Sequence, residues 1–225
     1  MTLELGGITL HEFDVAATDF LLFLESTLFA WLLIRFKSSA AQLQRLFGAL
    51  FAMLAIASLL GALYHAFFPA KTATPPGLAI WLLIGLSIGL ASIVVWYIDA
   101  LLLDSERLRR ALPAFACINL LVFMCMLVLV SHQFKIIIAF YVPPMIALAV
   151  VSFARWRRTS AMQWFWMFTG IVISFVAAAL QFLRIGIHPV YFNHDAVYHV
   201  VQAAALAILF VSFLRVLRMR SVEGA

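Results

Sequence analysis

Seven times this chain runs through about twenty residues with almost no charge, and that repetition constrains its fold more than any motif does. A helix needs ~20 consecutive apolar residues to cross a hydrocarbon core. In lipid its backbone polar groups must be satisfied within the segment, which a helix does and an open strand does not. The runs fall at about 16–35, 46–68, 78–102, 111–131, 134–154, 163–183 and 195–214. Composition agrees, with 66% of residues hydrophobic and 11% charged, where an ordinary soluble domain has ~25% charged. A β-barrel is excluded: barrel strands alternate apolar and polar residues over about ten positions, and these runs are apolar all round. The expected fold is an all-α integral membrane protein. It is one bundle of seven transmembrane helices over residues 1–225, with a short outer cap at 1–15 and a cytoplasmic tail at 215–225.

Basic residues set the expected orientation. With the N-terminus outside, the inner segments carry Arg35, Lys37, Arg45, Arg107, Arg109, Arg110, Arg155, Arg157, Arg158, Arg215, Arg218 and Arg220, which is 12 of the 15 Lys and Arg. Lys71, Lys135 and Arg184 remain for the outer side. Cytoplasmic loops carry the excess of Lys and Arg, so the C-terminus is expected in the cytoplasm, and the membrane is expected to be a bacterial inner membrane. The formal charge of +5 is thus a topology signal and calls for no nucleic-acid partner. The first segment lacks a basic n-region and carries Glu4, Glu12 and Asp14 instead, unlike a cleavable signal peptide. Cys117 and Cys125 lie eight residues apart on one helix, roughly 12 Å by helical rise, too far to bridge.

Against this apolar background, ionisable residues cost free energy, about 2.5–3.5 kcal/mol each on insertion scales, and mark sites. Asp19 lies one turn inside the first span, His65 one turn before the end of the second, and Asp195 and His199 open the seventh. Odd and even spans run in opposite directions, so all four share one depth near one face, expected to be the periplasmic one. In 'NHDAVYHVVQ', Asp195, His199 and Gln202 are spaced i, i+4, i+7 and form one stripe. An i, i+4 pair of ligating side chains can hold a divalent ion from a single helix, with His65 as a third ligand and His194 as an alternative. In 'SLLGALYHAFF' the residues Ser58, Gly61 and His65 share a face. Helix 1 adds Glu25 near mid-span and Ser26 on the face of Asp19. Each of these has an ordinary reading too, since a lone His near a helix end is commonly an interfacial hydrogen-bonding residue. Pro143 and Pro144 are expected to kink or locally unwind helix 5.

Seven helices with an outside N-terminus, 'LGALYHAFF' late in helix 2 and 'FNHDAVYHVVQ' opening helix 7 resemble the CREST superfamily of membrane hydrolases, which includes the alkaline ceramidases and the progestin and adipoQ receptors. The closest likeness would be a bacterial branch with a degenerate motif. The resemblance implies a zinc held by one His of helix 2 and an HxxxH pair of helix 7, assisted by a Ser and an Asp, with attack of zinc-bound water on a lipid amide or ester. Here the HxxxH positions read Asp195 and His199, Gly61 stands where the family has serine, and helix 3 carries no aspartate in its outer half.

The expectation is a metal-dependent membrane hydrolase acting on a lipid or another amphipathic substrate. His65, Asp195 and His199 would hold zinc, and Asp19, Glu25 or Ser26 would serve catalysis. The zinc would lower the pKa of its bound water, and a carboxylate would take the proton. Two other classes compete: a non-catalytic sensor or receptor that keeps the pocket, and a haem protein with His65 and His199 as axial ligands. A retinal Schiff base is excluded because helix 7 contains no lysine.

Overall fold

The computed structural model describes residues 2–223. Among the described residues it is all-helical apart from one small hairpin and an isolated bridge between His188 and Phe192, with seven helices long and apolar enough to cross a membrane. They are α1 (Phe13–Arg35), α2 (Ala41–Phe67), α3 (Pro75–Leu102), α4 (Glu106–Leu129), α5 (Phe134–Thr159), α6 (Met162–Phe182) and α7 (His194–Glu223). Every expected span is found, with boundaries moved by a few residues at most ends. The largest difference is at α7, which continues through 215–223 as helix where a tail was expected; residues 224–225 lie outside the described residues.

The outer cap is a two-stranded hairpin, β1 (Leu3–Leu5) and β2 (Ile8–Leu10). Gly6 and Gly7 both have positive φ, 56° and 86°, the backbone that a tight hairpin turn demands and that glycine adopts without strain. The His11 amide then donates to the Ala66 carbonyl at 2.9 Å, tying the cap to the end of α2.

Packing follows a ring. α1 lies between α2 and α7, α3 packs on α2 and α5, and α6 bridges α5 to α7. α4 stands outside that ring against α3 and α5. One end of the ring is solid. Leu33, Phe47, Phe51, Ile98, Trp164, Phe213 and Leu217 are buried there in one cluster, with the rings of Phe47 and Phe213 stacked at 3.8 Å. The carbonyl ends of the helices at this end are capped by side chains. Gln44 Nε2 donates to the carbonyls of Leu33, Ile34 and Phe36, and Arg155 donates to the Leu102 carbonyl and to Asp104. A helix end leaves such carbonyls without partners, so these residues close it.

α5 runs through Pro143 and Pro144 as one helix and is not unwound. Proline removes the N–H that would bond four residues back, so Pro144 frees the Phe140 carbonyl. The Ser92 hydroxyl of α3 donates to that carbonyl at 3.2 Å. A neighbouring serine thus repairs the break, one of the ways proline is accommodated in membrane helices.

Candidate functional site

The other end of the ring is hollow. A cavity of about 380 Å³ is lined by every helix except α4, within the ~300–1,000 Å³ typical of small-molecule sites. α1, α3, α5 and α7 start at this end, while α2 and α6 finish there, so the mouth collects early residues of the odd helices and late ones of the even helices. Asp19, His65, Asp195 and His199, the four residues expected at one depth, all line it, and so does Gln202 further along the same stripe of α7. Deeper, the walls turn apolar with Leu22, Leu54, Ile88, Met145 and Leu206.

His199 is buried, and both its ring nitrogens are engaged. Nδ1 lies 3.0 Å from Thr18 Oγ1, and Nε2 lies 3.3 Å from Asp19 Oδ1. The single Thr18 hydroxyl hydrogen is directed at the carbonyls of Val15 and Asp14, at 2.9 and 3.0 Å. Thr18 therefore accepts from Nδ1–H. Two lone pairs facing each other at 3.3 Å repel, so the Asp19 contact requires a proton on Nε2 or on the carboxyl. The buried pair is a one-proton device.

Asp19 is placed by a glycine. A Cβ built on Gly61 would lie 2.6 Å from Asp19 Oδ2 and 3.0 Å from its Cγ. The Asp19 carboxylate thus fills the space that a side chain at position 61 would need. Gly61→Ala is expected to drive Asp19 off His199 at an overpacking cost of about 1–3 kcal/mol, read as a lower melting temperature. A variant that melts like wild type would show that Asp19 has room to move.

His65 is held from the cap. Its Nδ1–H donates to Glu12 Oε2 at 2.5 Å, and Lys71 Nζ lies 2.9 Å from Glu12 Oε1. The His65 hydrogen bond, with help from Lys71 and against partial burial, holds the Glu12 carboxyl down at about 2 from an ordinary 4.5. A depressed carboxylate contributes stability that is complete above its unfolded pKa and lost as pH falls through the folded one. The cap is therefore expected to stay docked above pH 4.5 and to loosen as pH falls toward 2. Exchange of the His11 amide measures this, and Glu12→Gln is expected to speed that exchange at neutral pH. Unchanged exchange in Glu12→Gln would leave the backbone bond as the sole anchor.

Asp195 accepts from Gln181 Nε2 at 2.9 Å, and its second oxygen lies 3.7 Å from His194 Nε2. Gln202 Nε2 donates to Ser174 Oγ at 3.2 Å. Asn193 caps α7, its Oδ1 accepting from the amides of Asp195 and Ala196, which fixes the start of the Asp195–His199 stripe.

Not every expected residue arrives. Glu25 and Ser26 are outside the cavity lining. Ser26 is fully buried, and among the described residues neither its hydroxyl nor Glu25 Oε2 has a hydrogen-bond partner. His194 stays at the rim and serves only as a neighbour of Asp195. Sequence reading passed over Thr18, Glu12, Lys71 and Gln181. Gln181 shares the depth of the others and was legible by that criterion, whereas the Glu12–His65 pair needs the cap's fold to be seen.

The zinc expected from the resemblance does not fit these residues as they stand. Among the described residues no three His, Cys, Asp or Glu side chains come together as a metal-binding group. His199 has no free nitrogen, His65 offers only Nε2, and Asp195 is bonded to Gln181. Axial ligation of haem by His199 meets the same obstacle.

The family model described as 'Family of unknown function (DUF6962)' matches residues 15–218. No curated protein matches the chain.

Proposed function

The chain belongs to this family of unknown function, and we propose that it is a ligand-binding membrane protein, a sensor or receptor whose cavity takes a small amphipathic molecule. The observation that carries this reading is the cavity itself: about 380 Å³, polar at the mouth and apolar in depth, the build of a site for one head and one chain. His199, Thr18 and Asp19 satisfy one another as found, which suits recognition better than turnover. The N-terminus lies outside and the C-terminus in the cytoplasm of a bacterial inner membrane, supported by the 12 of 15 basic residues at one end. The cavity then opens to the periplasm. A C-terminal reporter active only in the cytoplasm tests that orientation.

The binding reading is tested by the lipid-like molecules that purify with the protein. A ligand at a hundred times its dissociation constant stabilises by about 2.7 kcal/mol, so adding it back to stripped protein should raise the melting temperature. Ser58→Phe, which fills the cavity wall, should abolish the rise. A wild-type protein that retains no such molecule and answers to none would sink the reading.

A second reading, metal-dependent hydrolysis of a lipid amide or ester, is favoured by one observation: His65, Asp195, His199 and Asp19 all face the same cavity. It requires His199 to release Thr18 or Asp19. Metal analysis of purified wild type beside His199→Ala decides it, since stoichiometric metal lost in the variant would displace the receptor reading.

A further inference from the structure

The outer surface of the bundle carries a carboxyl group at mid-span. Glu25 stands near the middle of α1, is half-buried and lines no part of the cavity, so what it exposes faces outward. Leu21, Leu24 and Leu28 around it are 61%, 48% and 51% exposed. The other acids carried inside the spans are turned inward: Asp14, Asp19 and Asp99 are buried, and Asp195 faces the cavity.

Nothing within reach answers this group. Among the described residues Glu25 has no hydrogen bond or ion pair; Oε2 is shut in, while Oε1 stays open to the outer surface. Arg35, the only base on α1, lies about 15 Å further along the helix. Helix α7 runs beside α1 in constant register. Thr18 meets His199 across an offset of 181 residues, and Phe29 stacks on Phe210 at 4.2 Å with the same offset. Glu25 is thus level with Leu206, where the outward residues of α7 are Ala203, Ala204 and Ala207, whose side chains carry no polar atom.

A carboxyl facing hydrocarbon is costly, and acids held in membranes pair with one another or face water. A partner for Glu25 must sit at its depth. Copies of one chain insert the same way round, so a twofold axis along the membrane normal sets every residue against its own counterpart at equal height. A protonated carboxyl has one O–H donor and free acceptor capacity, so two of them complete each other. Leu21, Leu24, Leu28 and Trp31 recur at alternating steps of three and four, the period of a helix–helix seam.

We propose that two copies of this chain pair through their α1 helices, with the Glu25 carboxyls hydrogen-bonded to each other inside a seam of Leu21, Leu24, Leu28 and Trp31. The inference rests on the membrane-spanning fold and is independent of what the cavity binds.

The test places full-length protein, labelled at the C-terminus with a donor or an acceptor fluorophore, in liposomes over a range of protein-to-lipid ratios. Energy transfer reports pairing, and wild type is expected to pair and to separate on dilution. Glu25→Leu should weaken pairing roughly tenfold, the scale of interhelical hydrogen bonds in membranes. Glu25→Gln, whose amide also donates and accepts, should retain it. In a chain with Cys117→Ser and Cys125→Ser, Leu28→Cys should form a disulfide between copies. Ile118→Cys, exposed on α4, should not. Wild type that stays monomeric at every density would overturn the proposal, and so would Glu25→Leu pairing as tightly as wild type. Cross-linking through Ile118→Cys in place of Leu28→Cys, which needs no change at Glu25, would put the interface on α4 and sink the α1 seam.

Discussion

His199→Ala is expected to lower stability sharply, and the size of the loss reports the state of the buried pair. The substitution removes the ring that contacts both Thr18 and Asp19. If the shared proton rests on His199, Asp19 is left as an uncompensated buried charge, and breaking such a pair costs about 3–5 kcal/mol. If the proton rests on Asp19, a neutral buried hydroxyl is orphaned instead, at about 1–3 kcal/mol. Asp19→Asn separates the two. Its amide can donate to Nε2 and keep the contact, so a neutral pair predicts a variant close to wild type, and an ion pair predicts a clear loss. The double variant Asp19→Asn, His199→Ala should recover part of any charge penalty, because no buried carboxylate then remains. Chemical denaturation in one micelle or nanodisc system gives all four values. Additive losses in that cycle would mean that the two residues do not act as a pair.

The layer of polar residues was legible because topology and depth are both readable in a sequence. Once seven apolar runs alternate in direction, a residue's distance from its helix end is its height in the bundle. Asp19, His65, Asp195 and His199 share one cavity at the height that argument gives them. What the sequence could not supply is azimuth. Ser26 shares a face with Asp19, yet it is buried in helix packing away from the cavity. Whether two side chains at equal height meet or point past each other depends on crossing angles of α2 and α7, and these are set by the whole ring. The i, i+4 pair on α7 also suggested a metal, but each member found a different partner from another helix or the cap: Gln181 for Asp195, Thr18 and Asp19 for His199, Glu12 for His65.

The helices themselves were the easier part, since length and apolarity decide them. α4 shows the limit. By hydropathy it resembles α3, yet it stands outside the ring and lines no part of the cavity. Two glycines of α3 explain the contact that puts it there. A Cβ on Gly85 would meet Leu127 at 2.2 Å, and one on Gly89 would meet Leu120 at 2.6 Å. Small residues let helices approach closely where lipid offers no hydrophobic drive to associate, and the sequence shows the glycines without showing which helix they admit.

That absence of hydrophobic drive sets up the second large effect. Phe213 is fully buried and stacked on Phe47 in the solid end of the ring, whereas Leu121 of α4 is 66% exposed on the outer surface. Phe213→Ala should cost about 3–5 kcal/mol, the range for deleting a buried aromatic side chain. In a membrane this loss is one of contacts rather than of transfer from water, because the neighbours of the missing ring have nothing to replace it. Leu121→Ala should cost almost nothing, since lipid chains close on the smaller residue as readily as on the larger. Leu121→Arg reverses that: a charge facing the hydrocarbon costs about 2.5–3.5 kcal/mol on insertion scales, and the variant should insert poorly while Phe213→Ala inserts normally and melts early. The comparison therefore separates packing from solvation at two sites. A mild Phe213→Ala together with a harmless Leu121→Arg would mean that the apolar outer surface faces something other than lipid.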